Sequence, residues 1–151
     1  MISMPARFDK LGISFQYPEN WTLDDSDAVL GRRSVTVTSP GGAFWSIAIQ
    51  SGSLNPQKLA HAVVQAMRQE YGSVESEEVE ETIEGTELVG YDLAFYYLDL
   101  TNTAVVRSFT FSQSAYTVFF QAEDREFAQL AAVFQAMTTS VLRGLRDPAA
   151  S

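Results

Sequence analysis

The chain has 151 residues, of which nineteen are Asp or Glu and ten are Lys or Arg, so its formal net charge is −9. The basic residues are scattered, and both nucleic acid and anionic membranes would repel this charge, so neither is an expected partner. The absence of cysteine excludes disulfides and thiolate metal sites, and 46% hydrophobic residues at this length predict one domain with one core.

The first third of the chain predicts a single strand or short β-hairpin over 7–17 and then a second hairpin. Apolar and polar side chains alternate through each predicted strand, and Pro18 ends the second strand because proline has no N–H to donate to a ladder. The turn sequence Ser-Pro-Gly-Gly joins the two strands of the second hairpin. In order, the predicted elements are strands within 7–17 about a turn at 10–12, an extended piece at 21–23, a polar turn at 24–27, and strands at 34–39 and 44–50.

A helix is predicted next. Asn55 is a favoured N-cap residue, Pro56 fits the first helical position, and Gly72 after Tyr71 is a typical residue beyond a helix C-terminus. The residues at helical spacing on the apolar side are Leu59, Val63, Ala66 and Met67, and those on the polar side include Gln57, His61, Gln65 and Arg68.

The second half predicts an antiparallel meander followed by a long helix. Residues 74–85 carry six Glu and predict an exposed edge strand, with partly helical structure as the alternative because Glu also favours helices. Residues 86–100, apolar on both sides, predict a central strand. A turn is expected at 101–103 and another at 113–114. The remaining elements are strands at 104–112 and 116–122 and a helix that Asp124 caps and that Gly144 and Asp147-Pro148 end. Its apolar stripe is Phe127, Leu130, Ala131, Phe134, Met137, Val141 and Leu142.

This order predicts an α+β fold in which an antiparallel sheet of six or seven strands is flanked by helices as an α/β/α sandwich. With the segment Gly-Ile-Ser-Phe-Gln-Tyr-Pro-Glu-Asn-Trp at 12–21 near its start, the chain resembles the PsbP-like superfamily, which includes photosystem PsbP, the Ran-binding Mog protein and bacterial DcrB-like small domains. The resemblance covers residues 7–143 and implies a single domain of this fold, with tails at 1–6 and 144–151. It implies no shared activity, because members bind different partners.

Four aromatic residues are candidates for a partner surface. If their strands keep register, Phe44, Tyr96, Tyr116 and Phe120 point away from Trp45, Phe95 and Phe119. One alternative is that a helix covers each face of the sheet and both sets belong to the core. The other is an exposed apolar face that serves as a partner surface, a homodimer contact or a shallow pocket.

The Glu-rich run supplies a second candidate surface, and Glu77, Glu78, Glu80 and Glu81 are its central residues. Such a run can dock a basic partner or bind a hard cation. It is also typical of a solvated edge strand whose charges discourage aggregation.

No residue pattern predicts catalysis, a cofactor or a metal site. His61 is the single histidine, and no carboxylate lies at helical spacing to orient it, so we interpret it as an ordinary solvated side chain. A zinc site would need a second His or a Cys. The Asp25-Ser26-Asp27 segment departs from the calcium-loop pattern, and Gly41-Gly42 lacks the residues of a phosphate loop.

The sequence therefore predicts a non-enzymatic binding module, an adaptor or chaperone-like protein whose partner is another protein or a second copy. A carrier of a small hydrophobic ligand or lipid is the first alternative, and a carboxylate-based hydrolase is the second. The N-terminal residues have neither a basic segment nor an apolar stretch, and no apolar run reaches the roughly 18 residues of a membrane helix, so a cytoplasmic location without membrane insertion is expected.

Overall fold

The computed structural model describes residues 5–29, 33–52 and 54–147. Its elements, in chain order, are β1 (Ala6–Lys10), β2 (Ile13–Tyr17), β3 (Thr22–Asp24), α1 (Ser26–Val29), β4 (Ser34–Thr38), β5 (Phe44–Ser51), α2 (Pro56–Tyr71), β6 (Val74–Ile83), β7 (Thr86–Tyr97), β8 (Leu100–Phe111), β9 (Ser114–Glu123) and α3 (Asp124–Arg146).

The strands form one large antiparallel sheet and one separate hairpin. The large sheet has the order β3-β4-β5-β9-β8-β7-β6, and β1 pairs only with β2. The predicted α+β class, the antiparallel sheet of about seven strands and the flanking helices are confirmed. The Glu-rich strand β6 is confirmed as an edge strand, whereas β7 lies beside that edge rather than at the centre of the sheet.

One face of the large sheet, here the α3 face, carries the larger part of the core. Trp45 lies fully buried on this face, and its Nε1 donates to Thr138 Oγ1 of α3 at 3.1 Å. The β1–β2 hairpin packs over the same face, where the ring of Phe15 lies 4.8 Å from that of Trp45. From α3, Phe134 stacks on Phe120 at 4.7 Å. The aromatic side chains that alternate along the strands therefore meet a helix and a hairpin on one side.

The opposite face, here the α2 face, holds a smaller core under α2. The Asn55 side chain accepts hydrogen bonds from two backbone N–H groups of the first turn and confirms the predicted cap. Ala60, Val64 and Met67 are buried against β6, β7 and β8. The predicted stripe is wrong by one position at Ala66, which is exposed, because the helix turns Ala60 and Val64 toward the sheet.

At the last helix, the predicted N-cap and the predicted end at Gly144 are wrong, the predicted end at Asp147 is confirmed, and the stripe is largely confirmed. Glu123 is the N-cap in place of Asp124, because its carboxylate accepts from the N–H groups of Arg125 and Glu126. Gly144 is buried within α3, which continues to Arg146. Of the predicted stripe, Phe134, Met137, Val141 and Leu142 are buried, Phe127 and Leu130 are half-buried, and Ala131 is exposed.

Candidate functional site

The predicted aromatic partner surface is wrong for two of its four residues. Tyr116 and Phe120 pair with Ile49 and Trp45, so they share the α3 face with Trp45 instead of pointing away from it. They are 5% and 6% exposed, and burial raises the pKa of the Tyr116 hydroxyl. Because β9 is apolar on both sides, alternation within it does not specify which set of side chains faces α3.

The other two aromatic residues differ from each other. Phe44 lies on the α2 face, half-buried, with its ring 5.8 Å from that of Phe119. Tyr96 lies at the end of β7 on the α3 face, beyond the reach of α3, and is 72% exposed. The four candidates therefore do not form one surface.

A different apolar surface is present at the β7–β8 hairpin. Among the described residues, five large hydrophobic side chains are exposed, and four of them belong to this hairpin end: Tyr96, Tyr97, Leu98 and Leu100, called here the tip patch. Leu98 is the most exposed, at 77%, and the fifth residue, Leu54, lies in the loop before α2. The largest exposed apolar patch of a soluble protein is often a functional surface, which makes the tip patch the candidate site.

The tip patch exists because the chain turns at Leu98–Asp99. The turn predicted at 101–103 is wrong, since Thr101 pairs with Tyr96 and Thr103 with Ala94 within the sheet. Leu98 and Asp99 have φ of 53° and 63°, the left-handed region that a two-residue hairpin turn requires at both positions. Neither residue is the Asn or Gly that normally occupies such a turn.

The base of the tip is fixed by packing, while its end is exposed. The ring of Tyr97 meets that of Tyr71 edge-on at 5.4 Å, and Tyr71 lies 4.6 Å from Phe95. Asn102 Nδ2 donates to the carbonyl oxygen of Leu100 at 3.0 Å. The base of the hairpin is therefore ordered before binding. Less conformational entropy is lost when Tyr96 and Leu98 contact a partner.

Carboxylates border the tip patch on the side of β6. Glu75, Glu77, Glu78 and Glu80 are exposed on this strand and are called here the acidic edge. Within the described part of the chain, none of the four forms an ion pair. Val74 pairs with Phe95, so β6 begins beside the end of β7 and the acidic edge continues into the tip patch.

Glu81 differs from its neighbours because it belongs to a buried ion cluster that sequence reasoning missed. Arg107 Nε donates to Glu81 at 2.5 Å, and Arg107 Nη2 donates to Asp92 at 2.8 Å. Its Nη1 donates to the carbonyl oxygens of Tyr91 and Val106. The available signal was an arginine at an inward-facing position between Val105 and Phe109, where an apolar residue is expected.

The recesses of the described chain are small or open. A cavity of about 200 Å³ lies beside Arg107 under α3, with Phe120 and Phe127 among its lining residues. A groove of about 850 Å³ runs between β2 and α3 along Tyr17 and Val133. Ligand pockets are clefts or cavities of roughly 300–1,000 Å³ that surround most of the ligand. The recess beside Arg107 is smaller than this, and the space between β2 and α3 is large enough but open to solvent.

The hydrolase and cation-site alternatives find no support among the described side chains. His61 is exposed on α2, with its Nε2 3.2 Å from Gln65 Nε2, as expected of a solvated side chain. The two carboxylates that share a cleft, Glu81 and Asp92, have a guanidinium between them. Across the described ranges, no group of three or more potential metal ligands occurs, and no helix is long and apolar enough to cross a membrane.

Comparison with solved structures shows a PsbP-like fold. The solution structure of cyanobacterial PsbP from Synechocystis sp. PCC 6803 superposes with a TM-score of 0.63 at 13% identity, over 93% of this chain and 92% of that one. The Ran-binding protein Mog1p of Saccharomyces cerevisiae gives 0.59 at 11% identity, over 94% of each chain.

LpqN of Mycobacterium tuberculosis, which is described as involved in cell envelope biogenesis, gives a TM-score of 0.52 at 13% identity, over 89% of this chain and 86% of that one. No family model and no curated protein matches the sequence. At these identities the likeness concerns the fold, and the resemblance inferred from the sequence is confirmed at that level.

Proposed function

We propose that this protein is a binding module that docks another protein through the tip patch. The observation that carries the proposal is the concentration of exposed apolar side chains at one hairpin end, which no element of the described fold covers. The proposal keeps the adaptor or chaperone-like role expected from the sequence but moves its surface from the sheet face to the β7–β8 hairpin. Tyr96 and the Glu-rich strand remain in that surface, whereas Tyr116 and Phe120 do not.

The energetics favour a partner over solvent exposure. Side chains of this size offer on the order of 300 Å² of apolar surface, and burying it contributes about 7 kcal/mol before the costs of association. This area is smaller than the roughly 800 Å² per partner of a standard interface, so neighbouring polar surface must contribute to the contact. The acidic edge is the neighbouring surface.

The fold neighbours are compatible with this role. Mog1p is described as a Ran-binding protein, which shows that the same fold supports recognition of a protein. The described chain offers no catalytic constellation, and we propose that it acts by contact and not as an enzyme.

Site-specific photo-cross-linking tests the proposal in cells that make the protein. Leu98→p-benzoylphenylalanine places the reactive group in the tip patch, and Leu54→p-benzoylphenylalanine is the matched control at an exposed leucine outside the patch, which is 39% exposed. We expect one discrete adduct with another protein from position 98 and none from position 54, identified by mass spectrometry. The same adducts from both positions, or none from position 98, would contradict the proposal.

A further inference from the structure

We infer that the tip patch binds a protein partner at a surface where Lys or Arg side chains surround apolar ones. This inference rests on the proposed function and adds the chemistry of the partner. The apolar patch carries the contact, and the charges around it determine which apolar surfaces it accepts.

Carboxylates lie beside the exposed Tyr96 ring. Glu75 pairs with Ala94, the residue two positions before Tyr96 on the same face, and Ala94 pairs on its other side with Thr103. Thr103 Oγ1 donates to Asp124 at 2.7 Å. The row Glu75, Ala94 and Thr103 across β6, β7 and β8 therefore has the Glu75 carboxylate at one end and that of Asp124 at the other. The Tyr96 ring lies next to this row, and Asp99 adds a further carboxylate in the turn.

The nearby cations are fewer than the carboxylates, since Arg125 is paired with Glu123 and, among the described cations, only Arg68 faces Glu75, Glu77, Glu78 and Asp99 without a carboxylate of its own. Arg68 donates to Ser76 Oγ at 3.1 Å, and Arg125 pairs with Glu123 at 3.0 Å. Burial raises the pKa of Glu123, but hydrogen bonds from Arg125 and from the first N–H groups of α3 outweigh it, and the pKa is lowered overall. The uncompensated charge beside the tip patch is consequently negative.

Charge also decides between the three candidate occupants. A second copy would bring Asp99 and the acidic edge against their own equivalents, and the like charges would repel each other. An anionic bilayer repels the same carboxylates. A protein surface with Lys or Arg around an apolar centre satisfies both features, and its cations also stack favourably on the faces of Tyr96 and Tyr97.

Two synthetic amphipathic peptides of equal length and leucine content serve as probes, one with lysine and one with glutamate at every polar position. The full chain, labelled with ¹⁵N, is titrated with each peptide and followed by amide chemical shifts. We expect the lysine peptide to shift the amides of residues 96–100 and 74–78 and the glutamate peptide to leave them unchanged. Leu98→Ser should weaken binding of the lysine peptide about tenfold, as expected for the centre of an interface.

A pair of charge variants separates local complementarity from net charge. Glu75→Gln combined with Glu77→Gln should weaken binding of the lysine peptide about threefold and reduce its dependence on salt. Glu19→Gln combined with Glu87→Gln changes the net charge equally, and both residues are exposed. Glu87 lies nine residues from Tyr96 along β7, about 30 Å away, so the second pair should leave binding within the error of the measurement.

Several results would overturn the inference. They are equal binding of the two peptides, shifts centred away from the hairpin, equal weakening by the two charge pairs, self-association in sedimentation that Leu98→Ser abolishes, and cosedimentation with phosphatidylcholine or phosphatidylserine vesicles. A cross-link from position 98 to a partner whose contact surface is neutral or acidic would overturn the inference and leave the proposed function intact. Loss of both the cross-link and the peptide contact would overturn both.

Discussion

The two ends of β7 carry turns of the same type in opposite surroundings. At the start of the strand, Glu84 and Gly85 have φ of 52° and 77°, and α3 holds the turn in place. Arg143 Nη2 donates to Glu84 at 2.9 Å, and Arg146 donates to the Glu84 carbonyl oxygen. At the other end, Leu98 and Asp99 have nearly the same φ values, yet the leucine is largely exposed.

The difference shows which end the fold depends on. A left-handed conformation costs a non-glycine residue roughly 1–2 kcal/mol, and the first turn limits this cost by using Gly85. The second turn has no glycine and also exposes apolar side chains, so its sequence does not serve stability. Because binding sites tolerate such local costs, the contrast supports an anchoring role for one end and a binding role for the other.

The largest expected loss of stability is at the ion cluster around Arg107, which pairs with Gly90 on β7 away from the tip patch. Arg107→Ala removes the hydrogen bonds to Glu81, Asp92 and two carbonyl oxygens together with a buried side-chain stem, and should lower the free energy of unfolding by about 2 kcal/mol, measured by urea denaturation. Arg107→Met retains the packing of the side-chain stem and should lose less. Binding at the tip patch should persist in both variants at temperatures where they are folded. Loss of binding in folded Arg107→Met would contradict the assignment of stability to one end of β7 and binding to the other.

The main helices and strands were largely predictable from the sequence, whereas the turn at the tip was not. Asn55 with Pro56 predicts a helix start because each residue satisfies a specific backbone requirement. The acidic composition of β6 predicts an edge strand for an equally local reason. Leu98 and Asp99 give no turn signal, while Thr101 to Thr103 do, so local chemistry placed the turn three residues too late.

The candidate site was predictable only in part, because side-chain direction depends on pairing between strands. Tyr96 and the Glu-rich strand were identified, but the register between β5 and β9 decides that Tyr116 and Phe120 face α3. Arg107 was missed since only the approach of β6 and β7 supplies the carboxylates that allow a charge to be buried there.

The second largest effect concerns the glycine of the anchored turn. Gly85→Ala should lower the free energy of unfolding by about 1.5 kcal/mol, because the added Cβ is strained at φ of 77° and would come within 2.6 Å of Arg146 Nη1. Gly12→Ala is the matched control, because Gly12 follows Leu11 in a turn with φ of 60° and 77°, and the nearest atom to its added Cβ would be Arg33 Nη2 at an ordinary contact distance of 3.5 Å. Thermal denaturation should show the larger loss for Gly85→Ala, and equal losses would mean that the contact with Arg146 does not matter.

A smaller effect of opposite sign is expected at the tip. Leu98→Asn combined with Asp99→Gly supplies the favoured residues for this turn and should raise the free energy of unfolding by about 1 kcal/mol. The same variant should lose binding of the lysine peptide. Measuring both its free energy of unfolding and its peptide binding therefore separates stability from function.

The matched control for this variant lies at the β8–β9 hairpin. Ser112 and Gln113 have φ of 48° and 66°, again without glycine. Ser112→Asn combined with Gln113→Gly should give a similar gain in stability and leave peptide binding unchanged. If the tip variant bound as well as the unaltered chain, the leucine would have no role in recognition.

The smallest expected effect concerns the ion pair between α3 and the turn at Glu84–Gly85. Arg143 and Glu84 form an exposed pair, with side chains 58% and 32% exposed, so Arg143→Ala should lower the free energy of unfolding by no more than about 0.5 kcal/mol. Arg125→Ala, which removes the exposed pair with Glu123 near the tip end of the sheet, should change it equally little. Urea denaturation of both variants compares the two ends directly. A loss above about 1 kcal/mol for Arg143→Ala alone would mean that the ion pair, and not the glycine and the buried cluster, holds the turn against α3.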